Sequence, residues 1–504
     1  MKKRIFNYRP LCLIFLFLLL GTVFSFYIVG NMLATIIVSI VILLFVIVVA
    51  ILKKKVKYFL IPLVAFVIGV GLYFVAIYSF ESVEYEKPNT IVARIYNVSD
   101  IEDGSMRVYA DSCRFDGEEV DFKITIYIYD YTNMFQDIDI GSVISFTPYN
   151  FYKSDLFYSE VPNSYLFSKN IKYTISVLAK DITYIDTDIT FAEQIKENIK
   201  ENLTNGLTNE NADIAYSSLF GETYVLSESQ NLNFQLAGVS HLLAVSGMHI
   251  VIIVAILNKF FDLVRIKKWY RLVAMTIILF LYLYMCNFTI SALRATIMAI
   301  VLLFAPLVRR EYDALSSIGF AGIICLLVNP LSAFDAGFLM SFACVVGIAI
   351  LFKPIKSALM SMKMPKWLAE SIGMSVATNV SLIFIMAFFF ENVNLISILA
   401  NIILIPIFTF AFIIVFVLSF VSLVLPFITY VLYPLNYVFD FINVVANVMG
   451  GLPISNFTTI SIEYYTTLIY MVIILLISRS CVADRATKVI MSLPLVALLV
   501  VCMV

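Results

Sequence analysis

The chain has 504 residues, 61% of them hydrophobic and only 14% charged, and its mean hydropathy is +0.95. No water-soluble globular chain of this length carries such a composition, so soluble enzymes and soluble binding domains are excluded and a polytopic membrane protein remains. The formal net charge of −1 also excludes a bulk attraction to an acidic partner, so any affinity for nucleic acid has to come from local geometry.

Residues 1–80 predict an N-terminal three-span region, with spans at about 11–29, 33–52 and 58–79, each near the 20 or so apolar residues a bilayer requires. The first run follows Lys2, Lys3, Arg4 and Arg9 as a signal peptide would. It lacks a small-residue cleavage site and a second span follows at once, so it reads as a retained helix. Lys53, Lys54, Lys55 and Lys57 close the second span. With the basic N-terminus also cytoplasmic, the third span delivers the chain to the outside.

Residues 85–188 change to period-two alternation: TIVARIYNV, SMRVYADSC, VDFKITIYIYD, SVISFTPYNF and IKYTISVLAKD, separated by Asp, Gly and Asn turns. Five such segments predict a small extracellular β-barrel, with an OB-like barrel as the natural candidate and other small β folds left open. Between Lys87 and Thr187 there are nine basic and fifteen acidic residues, a balance that opposes phosphate binding. The eighteen Phe and Tyr of the same stretch offer stacking surfaces for bases or a packed core. A DNA guide and a docking module for an external receptor or nuclease are equally compatible with it.

Residues 190–233, with AEQIKENIKENL, predict amphipathic helices near the membrane surface. Spans then resume through 234–504, at about 234–261, 272–288, 290–308, 314–329, 337–352, 371–390, 395–424, 427–450, 463–479 and 487–503. Basic clusters fall at Arg265/Lys267/Lys268/Arg271, Arg309/Arg310, Lys353/Lys356/Lys363/Lys366 and Arg479/Arg485/Lys488. If each segment crosses once, every cluster lands in the cytoplasm and the C-terminus lies outside. The fold class is thus an α-helical polytopic membrane protein of about 13 spans with one inserted β domain. Of the seven cysteines only Cys113 lies in the polar region, a scatter that supports neither a disulfide framework nor a zinc cluster.

The two histidines of the chain fall within one segment, His241-Leu-Leu-Ala-Val-Ser246-Gly247-Met-His249. Histidine at membrane depth is costly, and Ser246 and Gly247 interrupt the same segment. Broken backbone is tolerated there only where it is buried in protein or faces a watery cavity. Two capped or interfacial histidines are the plainer alternative. A shared metal ion does not fit a continuous helix, on which the two imidazoles would stand about 12 Å apart along the axis and about 80° apart around it. Ser246 and His249, at i and i+3, also share a face in the manner of an intramembrane serine protease, although Ala244 replaces the first Gly of the rhomboid-type G-x-S-G.

The string GVSHLLAVSGMHI closely resembles the signature of the ComEC competence channel family, G-[LIV]-S-H-L-[LI]-A-[LIV]-S-G-x-H, at all twelve of its consecutive positions. Leu219-Phe220-Gly221 and Glu222 precede it where the family has a leucine-glycine stretch. SALRATIMA (291–299) is similar to the family's S-x-x-R-A-x-x-M-A helix. NPLSAFDAGFLMSFACVVGI (329–348) resembles its P-x-x-x-x-D-x-G-F-x-L-S-F block, with Met340 before the family's Ser, and ISILANIILIPIF (396–408) its L-A-N-x-x-x-x-P segment. The resemblance covers about 200–480 and implies a channel passing one DNA strand across the cytoplasmic membrane while the complement is degraded outside. Many members add a C-terminal metallo-β-lactamase-like nuclease domain. Its H-x-H-x-D-H motif does not occur here, so a separate nuclease is expected.

Arg294 inside an apolar helix predicts either a phosphate contact or an ion pair with Asp335 or Glu391. Asp335 and Ser341 flank a Gly-Phe turn, and Asp335 is equally a helix cap. Asn401 and Pro406 predict a kinked or broken helix within 395–424. Glu222 reads as a gate, a histidine partner or a solvated surface acid. The path residues expected are therefore His241, Ser246, Gly247, His249, Arg294, Asp335, Ser341, Asn401, Pro406 and Glu222. No cofactor, bound metal or catalytic residue is expected. No Walker motif occurs, so a driving ATPase or helicase would be a cytoplasmic partner, beside single-stranded DNA, the lipid bilayer and an external DNA receptor. The alternative is a small-solute or ion transporter with a midplane site at broken helices.

Overall fold

The structure is a computed structural model that describes residues 10–28, 56–81, 84–102, 105–129, 138–155, 162–394, 396–452 and 457–458. The spans expected at 33–52, 463–479 and 487–503 lie outside the described residues. The chain divides into two units, Ile14–Asn198 with Ile323–Asp335, and Met1–Leu13 with Ile199–Gly322 and Ala336–Val504.

In the first unit, the apolar helices α1 (Pro10–Ile28) and α2 (Val56–Glu81) meet backbone to backbone. A Cβ at Gly21 would overlap the Phe66 carbonyl and one at Gly69 the Leu18 carbonyl, so small residues set this crossing. The sheet that follows comprises β1 (Ile91–Glu102), β2 (Ser105–Phe115), β3 (Glu118–Glu119), β4 (Lys123–Tyr129), β5 (Ser142–Phe146), β6 (Asn150–Lys153), β7 (Ile171–Leu178) and β8 (Ile182–Thr187). The five alternating segments of the sequence become β1, β2, β4, β5 with β6, and β7. The short β3 and β8 had no period-two signal.

The strand order is β6-β7-β4-β2-β1-β5-β8, antiparallel throughout except for parallel β4 and β7. Only Thr147, Pro148 and Tyr149 separate β5 from β6, and the Tyr149 N–H already donates to Ser176 of β7 at 2.8 Å. One bent strand thus pairs with β1 in its first half and with β7 in its second, closing a ring of five. The alternation pays out inside that ring, where Ile91, Ala93, Ile95, Val108, Ile124, Ile126, Ile128, Ile175 and Val177 are all fully buried.

The other side of β1 carries Arg94, only 5% exposed. Its guanidinium pairs with Glu193 of α4 (Phe191–Thr204), with Asp111 of β2 at 3.1 Å, and donates from Nε to the Asp188 carbonyl at 2.6 Å. Lys123 adds a longer pair to Asp111 at 3.8 Å, and burial lowers its pKa. The fifteen-to-nine acidic excess is partly consumed in holding α4 to the barrel.

The second unit is helical: α5 (Asn209–Phe220), α6 (Glu228–Leu236), α7 (Gly247–Leu263), α8 (Lys268–Met285), α9 (Ile290–Phe304), α10 (Ala314–Val328, whose end belongs to the first unit), α11 (Ala336–Ser361), α12 (Lys366–Phe390), α13 (Ser397–Ser422) and α14 (Leu435–Gly450). Among the described residues, six helices are long and apolar enough to cross a bilayer: Ile61–Glu81, Ser240–Leu263, Lys268–Met285, Ala336–Ser361, Lys366–Phe390 and Ser397–Ser422. Pro426–Leu432 and Leu435–Gly450 make a further pair bent by 54°, and Pro10–Phe26, Ile290–Phe304 and Ala314–Val328 are shorter apolar helices.

Three expectations change. Residues 234–261 are not one helix, since the chain leaves the helical path between α6 and α7. Asn401 and Pro406 do not break α13, which runs unbroken from Ser397 to Ser422; the bend falls after it, at Pro426–Leu432. Helix α5 does not expose a broad polar face: nine of its residues, Asn211, Ala212 and those at 214–220, are buried. Its polar groups are satisfied inside the unit, where Asn211 Nδ2 donates to Asn436 Oδ1 at 3.1 Å and to Asp440 Oδ1 at 2.8 Å.

Helices α11 and α12 form a hairpin in which a Cβ at Gly347 would overlap Ser381 Oγ, itself bonded to the Ala377 carbonyl at 2.8 Å. Gly347→Val is therefore expected to push the hairpin apart at a cost of about 1–3 kcal/mol. Thermal unfolding of the purified protein in detergent checks this, and an unchanged midpoint would mean that the helices do not pack at this point.

Candidate functional site

The signature folds as a turn between two helices. α6 begins at a Ser227/Gln230 capping box and ends near Gly238, whose φ of +70° suits glycine and whose missing side chain leaves room for Ser397 and Asn394. A short 3-10 turn, Ser240–Leu242, follows, and α7 starts at Gly247 with Ser246 as its N-cap. Gly247 therefore opens a helix rather than weakening one. Leu242, Leu243 and Val245 anchor the turn in the core. His241 and Ala244 are the exposed residues of the turn.

His249 is placed differently. It is fully buried, its Nδ1 accepts the Ser246 N–H at 3.0 Å, and Ser246 Oγ stands 3.0 Å from the same nitrogen. With Nδ1 accepting, Nε2 carries the proton. The Leu242 backbone lies close enough to act on the ring, but no hydrogen bond of ordinary geometry reaches Nε2. The ring sits edge-on to Phe412 with centroids 4.5 Å apart, and Phe408 is 6.2 Å away. A Ser–His contact is the minimal pair for activating a nucleophile. Here the His nitrogen is shared with a backbone N–H, and its other nitrogen faces aromatic rings instead of an orienting carboxylate. The pair acts as a capping box that fixes the start of α7.

Arg294 of α9, 5% exposed, is held against this start. A Cβ on Gly247 would lie 3.5 Å from Arg294 Nη2, an ordinary contact. Nη1 donates to the Ser341 carbonyl of α11, and the guanidinium lies 5.6 Å from the Phe342 ring centroid. It is thus the Ser341 backbone, not the hydroxyl, that takes part. A thioether contact from Thr409 Oγ1 to Met248 Sδ at 3.6 Å adds α13 to the group. Ser246, Gly247, His249, Arg294 and Ser341 therefore come together from α7, α9 and α11.

Glu222 is not a solvated acid. It is 7% exposed, and its Oε2 accepts from Tyr216 Oη at 2.7 Å and Tyr224 Oη at 3.2 Å. Burial, and next the Glu222 charge, push the Tyr216 phenol well above its usual range. The adjoining Gly221, at φ +77°, lies against Val245 of the signature, and Tyr282 Oη fixes the Leu219 carbonyl at 2.6 Å.

Asp335 is half-buried after the 3-10 turn Pro330–Phe334, and its N–H donates to the Ser332 carbonyl at 3.0 Å. Asn401 is 8% exposed, with no hydrogen bond to its Oδ1 among the described residues, and Pro406 is exposed on α13.

Sequence reasoning missed a polar group beside the turn. Asn394 Nδ2 donates to the Leu236 carbonyl, its Oδ1 accepts the Ser397 N–H at 3.1 Å, and Ser397 Oγ donates to Asn379 Oδ1 at 2.9 Å. Three polar residues in two apolar runs were the available cue. Among the described residues no three His, Cys, Asp or Glu side chains gather to hold a metal.

The comparisons fall on this helical unit. The chain is similar to ComE operon protein 3 of Bacillus subtilis, at 28% identity over 203 residues that cover 40% of this chain and 25% of that protein. It is also similar to Recombination protein 2 of Haemophilus influenzae, at 24% over 204 residues covering 38% of this chain and 26% of that one. The matches thus span about a quarter of the length of each of these curated relatives. No solved structure matches the chain. The family model described as Competence protein matches residues 218–481, just over half of the chain and inclusive of the whole turn at 238–249, Arg294 and Ser341, so this membrane protein belongs to the competence protein family.

Proposed function

We propose that the chain is the channel by which single-stranded DNA crosses the bacterial cytoplasmic membrane during natural transformation. The observation that carries this reading is the turn at 238–246, which breaks the helical path within an apolar unit and leaves His241 and Ala244 exposed between the buried Leu242, Leu243 and Val245. A strand carries a charge on every nucleotide, and a passage must replace its water with polar groups. His241 and the Asn394–Ser397–Asn379 group supply these beside the turn. Arg294 supplies a fork of donors matched to phosphate, next to the positive end of α7. Ser246 and His249 position that helix end and need not touch the strand.

About 13 spans, with the β domain as an OB-like barrel outside, fit the positive-inside pattern. Both tryptophans of the chain, Trp269 and Trp367, are 57% and 66% exposed and follow Lys268 and Lys366, as interfacial anchors do. The chemistry is conduction rather than catalysis. An external receptor, a separate nuclease and a cytoplasmic ATPase or helicase are the partners this reading requires. The membrane location and the competence family favour it over a small-solute transporter.

Uptake of strand-labelled DNA by cells lacking the protein tests the reading. Surface binding should persist while internalised label disappears, and a His241→Ala copy should restore about a tenth of wild-type uptake, the effect of one lost hydrogen bond at a site shielded from water. Normal internalisation in the deletion strain would remove the channel reading.

A further inference from the structure

Strand β8 (Ile182–Thr187) stands outside the ring of five. It pairs with β5 along one edge, from Phe146 opposite Ile182 to Ser142 opposite Thr187, and among the described residues no strand runs along its other edge. Successive residues of a strand turn their backbone groups to opposite edges. The Asp188 N–H donates to the Gly141 carbonyl at 2.8 Å, on the β5 side, so the Thr187 N–H faces the free edge, where the neighbouring Asp186 carboxylate accepts it at 2.8 Å. Residues 183–187 are all exposed, in contrast to the alternation inside the ring, and Tyr184 and Ile185 keep 50% and 53% of their surface accessible. Open edges are ordinarily guarded by lysine or proline. β8 has neither, and its one irregularity is a bulge at Ile185. Asp181, Asp186 and Asp188 are exposed along or beside it, against one cation, Lys180, in residues 180–191.

We propose that the free edge of β8 receives an extended, lysine- or arginine-bearing segment of a partner protein as an added strand. Backbone groups of that segment bond to the edge, its cations meet Asp181, Asp186 and Asp188, and its apolar residues cover Tyr184 and Ile185. Charge decides the occupant. A nucleic acid or a surface of anionic lipid meets repulsion from three carboxylates. A second copy of this chain fares no better, since full antiparallel overlap of two β8 edges sets Asp181 of each opposite Asp188 of the other. The inference goes beyond the channel reading and holds or fails without it.

The test titrates the full-length protein, in phosphatidylcholine nanodiscs, into a fluorescent peptide that alternates lysine with valine. The peptide is expected to bind, and N-methylation of its backbone, which removes the donors and leaves every charge, should weaken binding about tenfold or more. Methylation alters the probe and not the protein, so this arm is independent of any folding defect. Asp181→Lys/Asp186→Lys should also weaken binding about tenfold, and a peptide with glutamate in place of lysine should not bind. Equal affinity for the parent and N-methylated peptides would overturn the proposal, as would unchanged affinity in the double variant. Two further results would give the edge to another occupant and overturn it likewise: quenching of Ile185→Trp emission by brominated phosphatidylcholine, which means lipid, and disulfides between copies carrying Ile185→Cys, which mean a second copy. None of these results bears on uptake by the deletion strain, so the channel reading is tested apart.

Discussion

Arg294→Met is expected to lower internalisation of transforming DNA by about tenfold to a hundredfold, the worth of one or two charge-assisted hydrogen bonds to phosphate at a site shielded from water. Arg294 is enclosed by α9, the start of α7 and the Ser341–Phe342 turn of α11, so the substitution removes a fork of donors and leaves a side chain of similar reach. Arg294→Lys keeps the charge but loses the fork and should restore uptake only in part. A purely structural arginine would lower the amount of protein in membranes. A path arginine leaves that amount unchanged and reduces the salt dependence of oligonucleotide binding by about one counterion. Membrane blots together with binding at graded salt separate the two, and full uptake by a Met variant present at normal level would exclude Arg294 from the path.

The second large effect concerns stability. Glu193→Ala strands the Arg94 guanidinium, whose side chain and that of Glu193 are 6% and 13% exposed. Breaking a buried pair from one side costs about 3–5 kcal/mol, and the bonds Arg94 keeps with Asp111 and the Asp188 carbonyl place the expected loss near the lower figure. Protease cleavage of the β-bearing unit should rise accordingly. The double variant Arg94→Met/Glu193→Leu, which removes both charges, should recover most of the loss. If the single variant resists protease as the wild type does, Glu193 is not holding α4 to the barrel.

Much of the architecture was legible because periodicity survives in composition. The five alternating segments became strands, and the apolar runs at 337–352, 371–390 and 395–424 became α11, α12 and α13; the first two are longer than expected, since polar loop residues extend a helix as readily as end it, and α13 lies within its expected run. The turn at 237–246 was concealed by its own hydrophobicity. Leu242, Leu243 and Val245 are as apolar as any span, and only Gly238 and the Ser246-Gly247 pair mark the change of direction. The signature residues stood out as a group, but their separate placements did not: exposed His241, packed His249 at the start of α7, and Ser341 contributing its carbonyl.

Long-range contacts account for the rest. Nothing near Arg94 in the sequence points to Glu193, ninety-nine residues away. Asn211 meets Asn436 and Asp440 across more than two hundred residues, which turns a helix expected at the membrane surface into a buried one. Such pairings are decided by the fold as a whole, and a window of sequence does not contain them.

The proposed aqueous passage can be probed directly by thiol chemistry. In a background cleared of its native cysteines, His241→Cys and Ala244→Cys should react with a membrane-impermeant thiol reagent, and single-stranded DNA should slow both reactions. Leu243→Cys, at a fully buried position of the same turn, should stay unreactive. If positions 241 and 244 prove as inert as 243, no water reaches the turn and no strand passes there.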